Sequence, residues 1–416
     1  MKKTFYILLF IFSIASASVL AQTTEVAPPY NIKTVSFKNG GHNIIPIFKL
    51  GEQFTFEFDD LYGNNTDYYF TITHCDLDWN PSVILKQDYL QGNDGVRILN
   101  YENSFNTLQQ YSHYMLQIPN ENLQLLISGN YILNILNTQQ EIVFSRRFVV
   151  YEDLVSIPIQ VKRGREIQTI NEVQNLDFSV KLGDLQLQTP YRNIDLIILQ
   201  NGNWNTAKSH IKPQYTFATD LIYKYDKETQ FYGSNQFLNF DNSNVRVVNS
   251  TVAKVTLADL YNSFLFTNVP RANLGYTYYP DIFGNFLVRN VDGNDAQIEA
   301  DYVWVYFSLA TPELVDQSIY ITGMFNNYLM TPENKMTFNK KTNQYEAALL
   351  IKQGFTNYQF TLVDNKTKTI NQKDAIDGNY YQTENKYIIL AYYKGNNGRY
   401  FRAIGKGEAS SINITN

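Results

Sequence analysis

FTFEFDDLYGNNTDYYFTIT, Phe54 to Thr73, decides how the chain is read. Phe54, Phe56 and Phe58 alternate with Thr55, Glu57 and Asp59, and after Gly63-Asn64-Asn65 comes the run Tyr68-Tyr69-Phe70-Thr71-Ile72-Thr73. Side chains point to opposite faces along a strand, so the stretch reads as two strands joined by a Gly/Asn turn. The same period of two returns at Tyr131–Ile135, Ile142–Ser145, Leu176–Val180, Asp195–Leu199, Tyr302–Phe307, Ile319–Ile321 and Tyr358–Leu362. Composition agrees: aromatics make up 15% of the chain, with 32 Tyr and 27 Phe, and charged residues only 18%. Residues that suit a half-buried pleated surface dominate. The expectation is an all-β protein of tandem sandwiches, with short helices only at Asn103–Gln110 and Thr256–Phe264.

With 416 residues and 44% hydrophobic composition, the chain can build several cores. Met1-Lys2-Lys3, the apolar run Phe5–Leu20 and the small residues of Val19-Leu20-Ala21 read as a signal peptide over residues 1–21, cleaved before Gln22. No later segment has the roughly 18–20 continuous apolar residues of a spanning helix, and no cysteine sits at the cleavage site to carry a lipid. The expected units are a first sandwich over 22–152, a second over 153–310, a third over 311–405 and a flexible tail at 406–416. A net charge of -5 without a basic stripe argues against a nucleic-acid partner. Arg146-Arg147 and Lys162-Arg163-Gly164-Arg165 read as solvated turns.

The last unit has a pattern of its own. Tyr320-Ile321-Thr322-Gly323-Met324-Phe325-Asn326-Asn327-Tyr328 precedes Gly354-Phe355-Thr356-Asn357-Tyr358-Gln359-Phe360. It resembles the early-set immunoglobulin-like modules of glycogen-binding and branching-enzyme domains, some of which bind α-glucans through exposed tryptophans. Tyr328 stands where that tryptophan would be.

Chemistry has few candidates. His74-Cys75-Asp76-Leu77-Asp78-Trp79 gathers the only cysteine, one of four histidines and two aspartates. On a strand His74 and Cys75 face opposite ways, so they cannot share one ion. There is no second cysteine for a zinc site, and Asp76 and Asp78 lack the further ligands of a calcium loop. His74, Cys75, Asp76 and Asp78 are therefore read as structural, with Cys75 buried and an Asx-type turn at Asp76–Asp78. His113 is the one histidine of the same unit that could act as a base toward Cys75. Asp59-Asp60 reads as a solvated pair at a strand end. No nucleophile elbow, HExxH or phosphate loop occurs, so no catalytic residue, metal or cofactor is assigned.

Dispersed motifs carry a further resemblance. Ile32-Lys33-Thr34-Val35, Thr73 to Trp79, Ser104-Phe105-Asn106-Thr107, Tyr111-Ser112-His113-Tyr114, Pro119-Asn120-Glu121, Ser128-Gly129-Asn130-Tyr131 and Arg146-Arg147-Phe148 come in order. Gln200-Asn201-Gly202, Gly233-Ser234-Asn235-Gln236-Phe237, Ile298-Glu299-Ala300-Asp301-Tyr302 and Thr383-Glu384-Asn385 continue them. Together they resemble the plug proteins of the type IX secretion system, most closely in the first unit. The resemblance implies a non-enzymatic periplasmic protein, peripheral to the outer membrane and without a cofactor. It would be a single copy in a complex with the giant outer-membrane β-barrel translocon, whose periplasmic mouth it seals. The alternative expectation is a glycan-binding accessory protein, through the early-set unit.

Overall fold

The computed structural model describes residues 25–414; the expected signal peptide lies outside the described residues. Strands dominate, and they form face-to-face sheets in three units. In the first, one sheet runs in the order His42–Asn43, Ile32–Asn39, Phe54–Asp60, Ser112–Ile118, Tyr101–Asn103. The facing sheet runs Ile47–Lys49, Ile142–Tyr151, Gly129–Leu136, Tyr69–Cys75, Val96–Arg97. Phe37, Phe54, Phe56 and Phe58 meet Phe48, Tyr131, Phe144 and Phe148 between them. Phe48 and Phe54 stack at 3.7 Å. The alternation read from Phe54–Phe58 is the inward face of this core.

The other face is not solvated. Glu57 and Asp59 alternate with the phenylalanines, yet Asp59 is 0% exposed. Asp60 is buried too, bonded by Asn31 Nδ2 at 2.8 Å and Tyr68 OH at 3.0 Å. The reading of Asp59-Asp60 as solvated is thus corrected: Asp60 is held within the first unit, and Asp59 lies on the outward face of the sheet, which a second body of the chain covers. Arg146 and Arg147 are also strand residues, within Ile142–Tyr151, and not turn residues.

The second unit does not follow the expected boundaries. Its one sheet joins Ile159–Arg163, Val173–Lys181, Asp220–Tyr223 and Tyr215–Phe217, with Gln230–Tyr232 on Val173–Lys181. Its other sheet joins Asn203–Ser209 and Ile194–Gln200 to Lys386–Tyr393 and Arg402–Ser410. Ile194 pairs with Tyr393 and Gln200 with Tyr387. Its core accordingly takes Leu176, Phe178, Leu196 and Ile198 together with Tyr387, Ile389 and Ile404. Residues 386–410 belong here by strand pairing and not to a C-terminal unit over 311–405. Lys406–Ser410, expected as tail, are strand, and Ser411 is buried.

The third unit lies between these halves. Gly354–Asp364 is central to one sheet, flanked by Leu238–Asp241, Phe286–Val288 and Gln317–Thr322. The other sheet runs Val252–Leu257, Tyr261–Leu265, Tyr302–Leu309, Gln344–Lys352, Thr337–Asn339. The strands 238–241 to 286–288, placed by sequence in the second unit, close this sandwich. The two expected helices are absent: Tyr101–Asn103, Val252–Leu257 and Tyr261–Leu265 are strands. Thr256 pairs with Asn262 in a hairpin, where cross-strand bonds satisfy the backbone that a helix would have satisfied locally.

Candidate functional site

The cluster His74–Trp79 ends the strand Tyr69–Cys75. His74 pairs with Tyr131 and Cys75 with Asn130, so the two side chains face opposite ways. His74 packs edge-on against Tyr131 at 5.0 Å within the first unit. Its Nε2 lies 3.3 Å from the Ser128 carbonyl, which can only accept, so Nε2 carries the proton and Nδ1 faces Ser82 Oγ at 2.7 Å. Gly129 makes room for this ring: a Cβ there would sit 2.3 Å from Nε2, and its φ is +147°. Asp76 Oδ1 accepts from the backbone N–H of Asp78 and of Asn80, each at 2.9 Å, an Asx turn that throws Trp79 into the left-handed region at φ 67°.

What the turn presents is an interface. Cys75, Leu77, Trp79, Ile132 and Val149 of the first unit share one buried cluster with Ile197, Leu199, Ile388, Leu390 and Tyr392 of the second. Trp79 meets Trp204 edge-to-face at 5.0 Å and lies under the Arg147 guanidinium at 4.6 Å. Tyr392 OH donates to Asn130 Oδ1 at 2.6 Å. At the rim, Asp78 accepts from His210 at 2.8 Å, and Arg402 forks onto Glu152 at 3.1 and 2.6 Å. Each such apolar side chain gains roughly 1.5–3 kcal/mol over exposure. That is the character of a core cut in two and not of a sliding domain contact. Burial pushes the Cys75 thiol up to about 12, so no thiolate is available, and His113 lies with Asp59 on the opposite sheet of the unit. His74, Cys75 and His113 do not meet.

His74 makes the pH response legible. Burial holds it down at about 4, below the unfolded value of about 6.5. From pH 6.5 downward the unfolded chain takes up a proton that the folded one refuses, so stability is lost between about 6.5 and about 4, by ~3 kcal/mol in all. His113 works the other way, since its pKa is raised. Urea midpoints of wild type and His74→Gln at pH 7 and pH 5 check this. The wild type should lose more than the variant, and equal losses would refute it.

The covered face of the other sheet holds a buried charge cluster that sequence reading does not bring together. Asp59 accepts from His113 Nδ1, Lys352 Nζ and Tyr302 OH, all at 2.6 Å. Tyr302 OH also contacts Thr34 Oγ1 at 2.5 Å, and Lys352 donates to the Gln297 carbonyl at 2.5 Å. Lys352 sits 4.1 Å over the Tyr111 ring. His113 Nε2 is 3.5 Å from Glu57, which pairs with Lys38 at 2.5 Å. Burial works against the Asp59 carboxylate, yet Lys352 and His113 outweigh it and hold it at about 2. Burial likewise opposes the charge on His113, and Asp59 and Glu57 overcome it, raising its pKa. Asp59, Glu57 and His113 belong to the first unit, Lys352 and Tyr302 to the third. With Asp59 and Lys352 at 0% and 1% side-chain exposure, the pair is shielded from solvent. The only signal in the sequence is a charge at an otherwise apolar strand position, Ile351-Lys352-Gln353.

Between the second and third units the chain crosses twice, at Gly233–Ser234 and Thr383–Asn385, and buried amides lace the crossings together. Asn385 Nδ2 donates to the Gly233 carbonyl at 2.8 Å and Gln174 Nε2 to the Thr383 carbonyl at 2.7 Å. Thr383 Oγ1 donates to the Ser234 carbonyl at 2.9 Å, and Asn201 Nδ2 to Asn385 Oδ1 at 2.8 Å. A Cβ on Gly233 would lie 2.0 Å from the Tyr380 carbonyl. Tyr328 also belongs to this junction. It is 4% exposed and donates to the Asn201 carbonyl at 3.2 Å, so its ring is not free to stack on a sugar.

Among the described residues no group of three His, Cys, Asp or Glu side chains is placed to hold a metal ion, and no helix is long and apolar enough to cross a membrane. The geometry defines an all-β scaffold whose polar clusters join its units. Residues 32–152 match the family described as "Type 9 secretion system plug protein 1st domain". The structure is similar to the crystal structure of a hypothetical protein from Parabacteroides merdae ATCC 43184, at TM-score 0.89 and 31% identity over 93% of this chain and 98% of that one. A biofilm-associated protein's BSP domain aligns only at TM-score 0.17 and 6% identity. No curated protein matches. The chain belongs to the type IX secretion system plug protein family, a family of secretion components and not a known family of enzymes.

Proposed function

We propose that the protein seals the periplasmic opening of the giant outer-membrane β-barrel translocon of the type IX secretion system. It is exported by the signal peptide at residues 1–21 and held at the membrane only through that barrel. The observation that carries the reading, beyond family membership, is the fusion of the three sandwiches. The first unit is joined to the second through the Trp79 cluster and to the third through Asp59–Lys352. A pore wide enough for folded cargo needs a broad occluder that keeps its shape, and this one works without chemistry.

The test is recovery of the chain, tagged after Asn416, from detergent-solubilised outer membranes, with co-purifying proteins identified by mass. A very large outer-membrane barrel in near-equal amount is the expected result. An extract that contains the barrel but yields none of it with the tagged chain would overturn the proposal.

A further inference from the structure

Among the described residues, the buried Arg146 guanidinium has no hydrogen-bond or ion-pair partner. Arg146 lies on Ile142–Tyr151, where Phe144 and Phe148 point into the first core, so alternation turns Arg146 to that same inward face. It is 7% exposed. Among the described residues its guanidinium forms no hydrogen bond or ion pair, and its Nε is a buried donor with nothing to accept from it. Burial pulls its pKa below the usual value, opposed by the Glu25 carboxylate. That carboxylate is already engaged by the backbone N–H of Arg147 at 2.6 Å and by Asn327 Nδ2 at 2.9 Å.

The guanidinium borders a cleft of about 110 Å³ between the first and third units. Thr34, Tyr302, Asn327, Leu349 and Ile351 line it beside Arg146, with more apolar than polar surface. The other charged groups on its wall are already paired, Lys33 with Glu333 and Lys352 with Asp59. A volume near that of a benzene-sized cavity admits a few heavy atoms. An unpaired buried guanidinium recognises a planar two-oxygen anion through parallel N–H···O bonds.

We propose that this cleft binds a carboxylate borne on a short apolar body, with the carboxylate on Arg146 and the body against Leu349 and Ile351. The same chemistry comes from a free short-chain acid or from the terminal residue of a peptide. A site kept for a ligand also explains why a desolvated charge is retained in a core position where a methionine would pack.

The purified chain is titrated with isobutyrate, with its neutral isostere isobutyramide and with N-acetylvaline, and binding is read by calorimetry and by melting temperature. A saturable carboxylate response is expected, with an upward shift of about 2 °C or more at ten times Kd and none with the amide. Response to isobutyrate alone assigns a free acid, and to N-acetylvaline alone a peptide terminus. Arg146→Met should weaken binding roughly tenfold or more while melting at or above the wild-type temperature. Leu329→Trp, at the half-exposed lip of the cleft, should block it with Arg146 intact. Equal responses to acid and amide, no response to either acid, or an Arg146→Met chain that binds like wild type would each overturn the inference.

Discussion

Asp59→Ala is expected to destabilise the protein by about 3–5 kcal/mol, because it strands Lys352 as a buried cation with no carboxylate within reach. Lys352→Ala should cost a similar amount, since Asp59 then keeps only His113 and Tyr302. Asp59→Asn combined with Lys352→Met should recover much of either loss, as neither residue then carries a charge into the interface. The effect also has a pH signature. Asp59 is held at about 2, below its unfolded value near 3.9. Its contribution is therefore complete above the unfolded value and is lost as pH falls through about 2. Chemical unfolding followed by both tryptophan fluorescence and far-UV circular dichroism reads the cycle. Single variants within about 1 kcal/mol of wild type, the range of an exposed pair, would show that the cluster does not join the units.

A chain that stops at Asn385 is expected to lose the second unit completely. Lys386–Tyr393 is an inner strand of its sheet, and Tyr387, Ile388, Ile389, Leu390, Ala391 and Tyr392 are each 0–1% exposed. At roughly 1.5–3 kcal/mol per large buried side chain, the loss matches or exceeds the whole stability of an ordinary domain, about 5–15 kcal/mol. The first unit, whose strands all lie before residue 152, should remain folded with its second-unit face uncovered. Limited proteolysis with mass mapping would show a protected fragment ending near Tyr151 and rapid cleavage within 153–235. Protection of 153–235 in the shortened chain would refute the division into units described above.

Much of the sandwich architecture is legible from Phe54–Phe58 and its counterparts, because alternation names the residues that face one core. It does not name what covers the other face. Glu57 and Asp59 look solvated by the same rule that makes Phe56 and Phe58 look buried, and the correction comes from Lys352, nearly three hundred positions away. Strand pairing at such distances has no local sign either. Ile194–Gln200 looks complete with its neighbour Asn203–Ser209 until Lys386–Tyr393 joins its other edge. The turn at Asp76–Asp78 is readable because an Asx turn is local. Its role is not, because Trp79 acquires it only on meeting Trp204. Arg146 misleads for the same reason: two adjacent arginines suggest a surface unless the strand around them is known to be buried.

The paired crossings at Gly233–Ser234 and Thr383–Asn385 have a mechanical meaning. A module hung on one covalent thread can swivel about it; one held by two adjacent threads, cross-bolted by Asn385, Gln174 and Thr383, has no free axle. The third sandwich is further pinned against the first by Lys352. Torque on any one sandwich is passed to the others before any joint yields. An object of this kind moves in one piece, as a cork does, and has no hinge on which to swing like a flap.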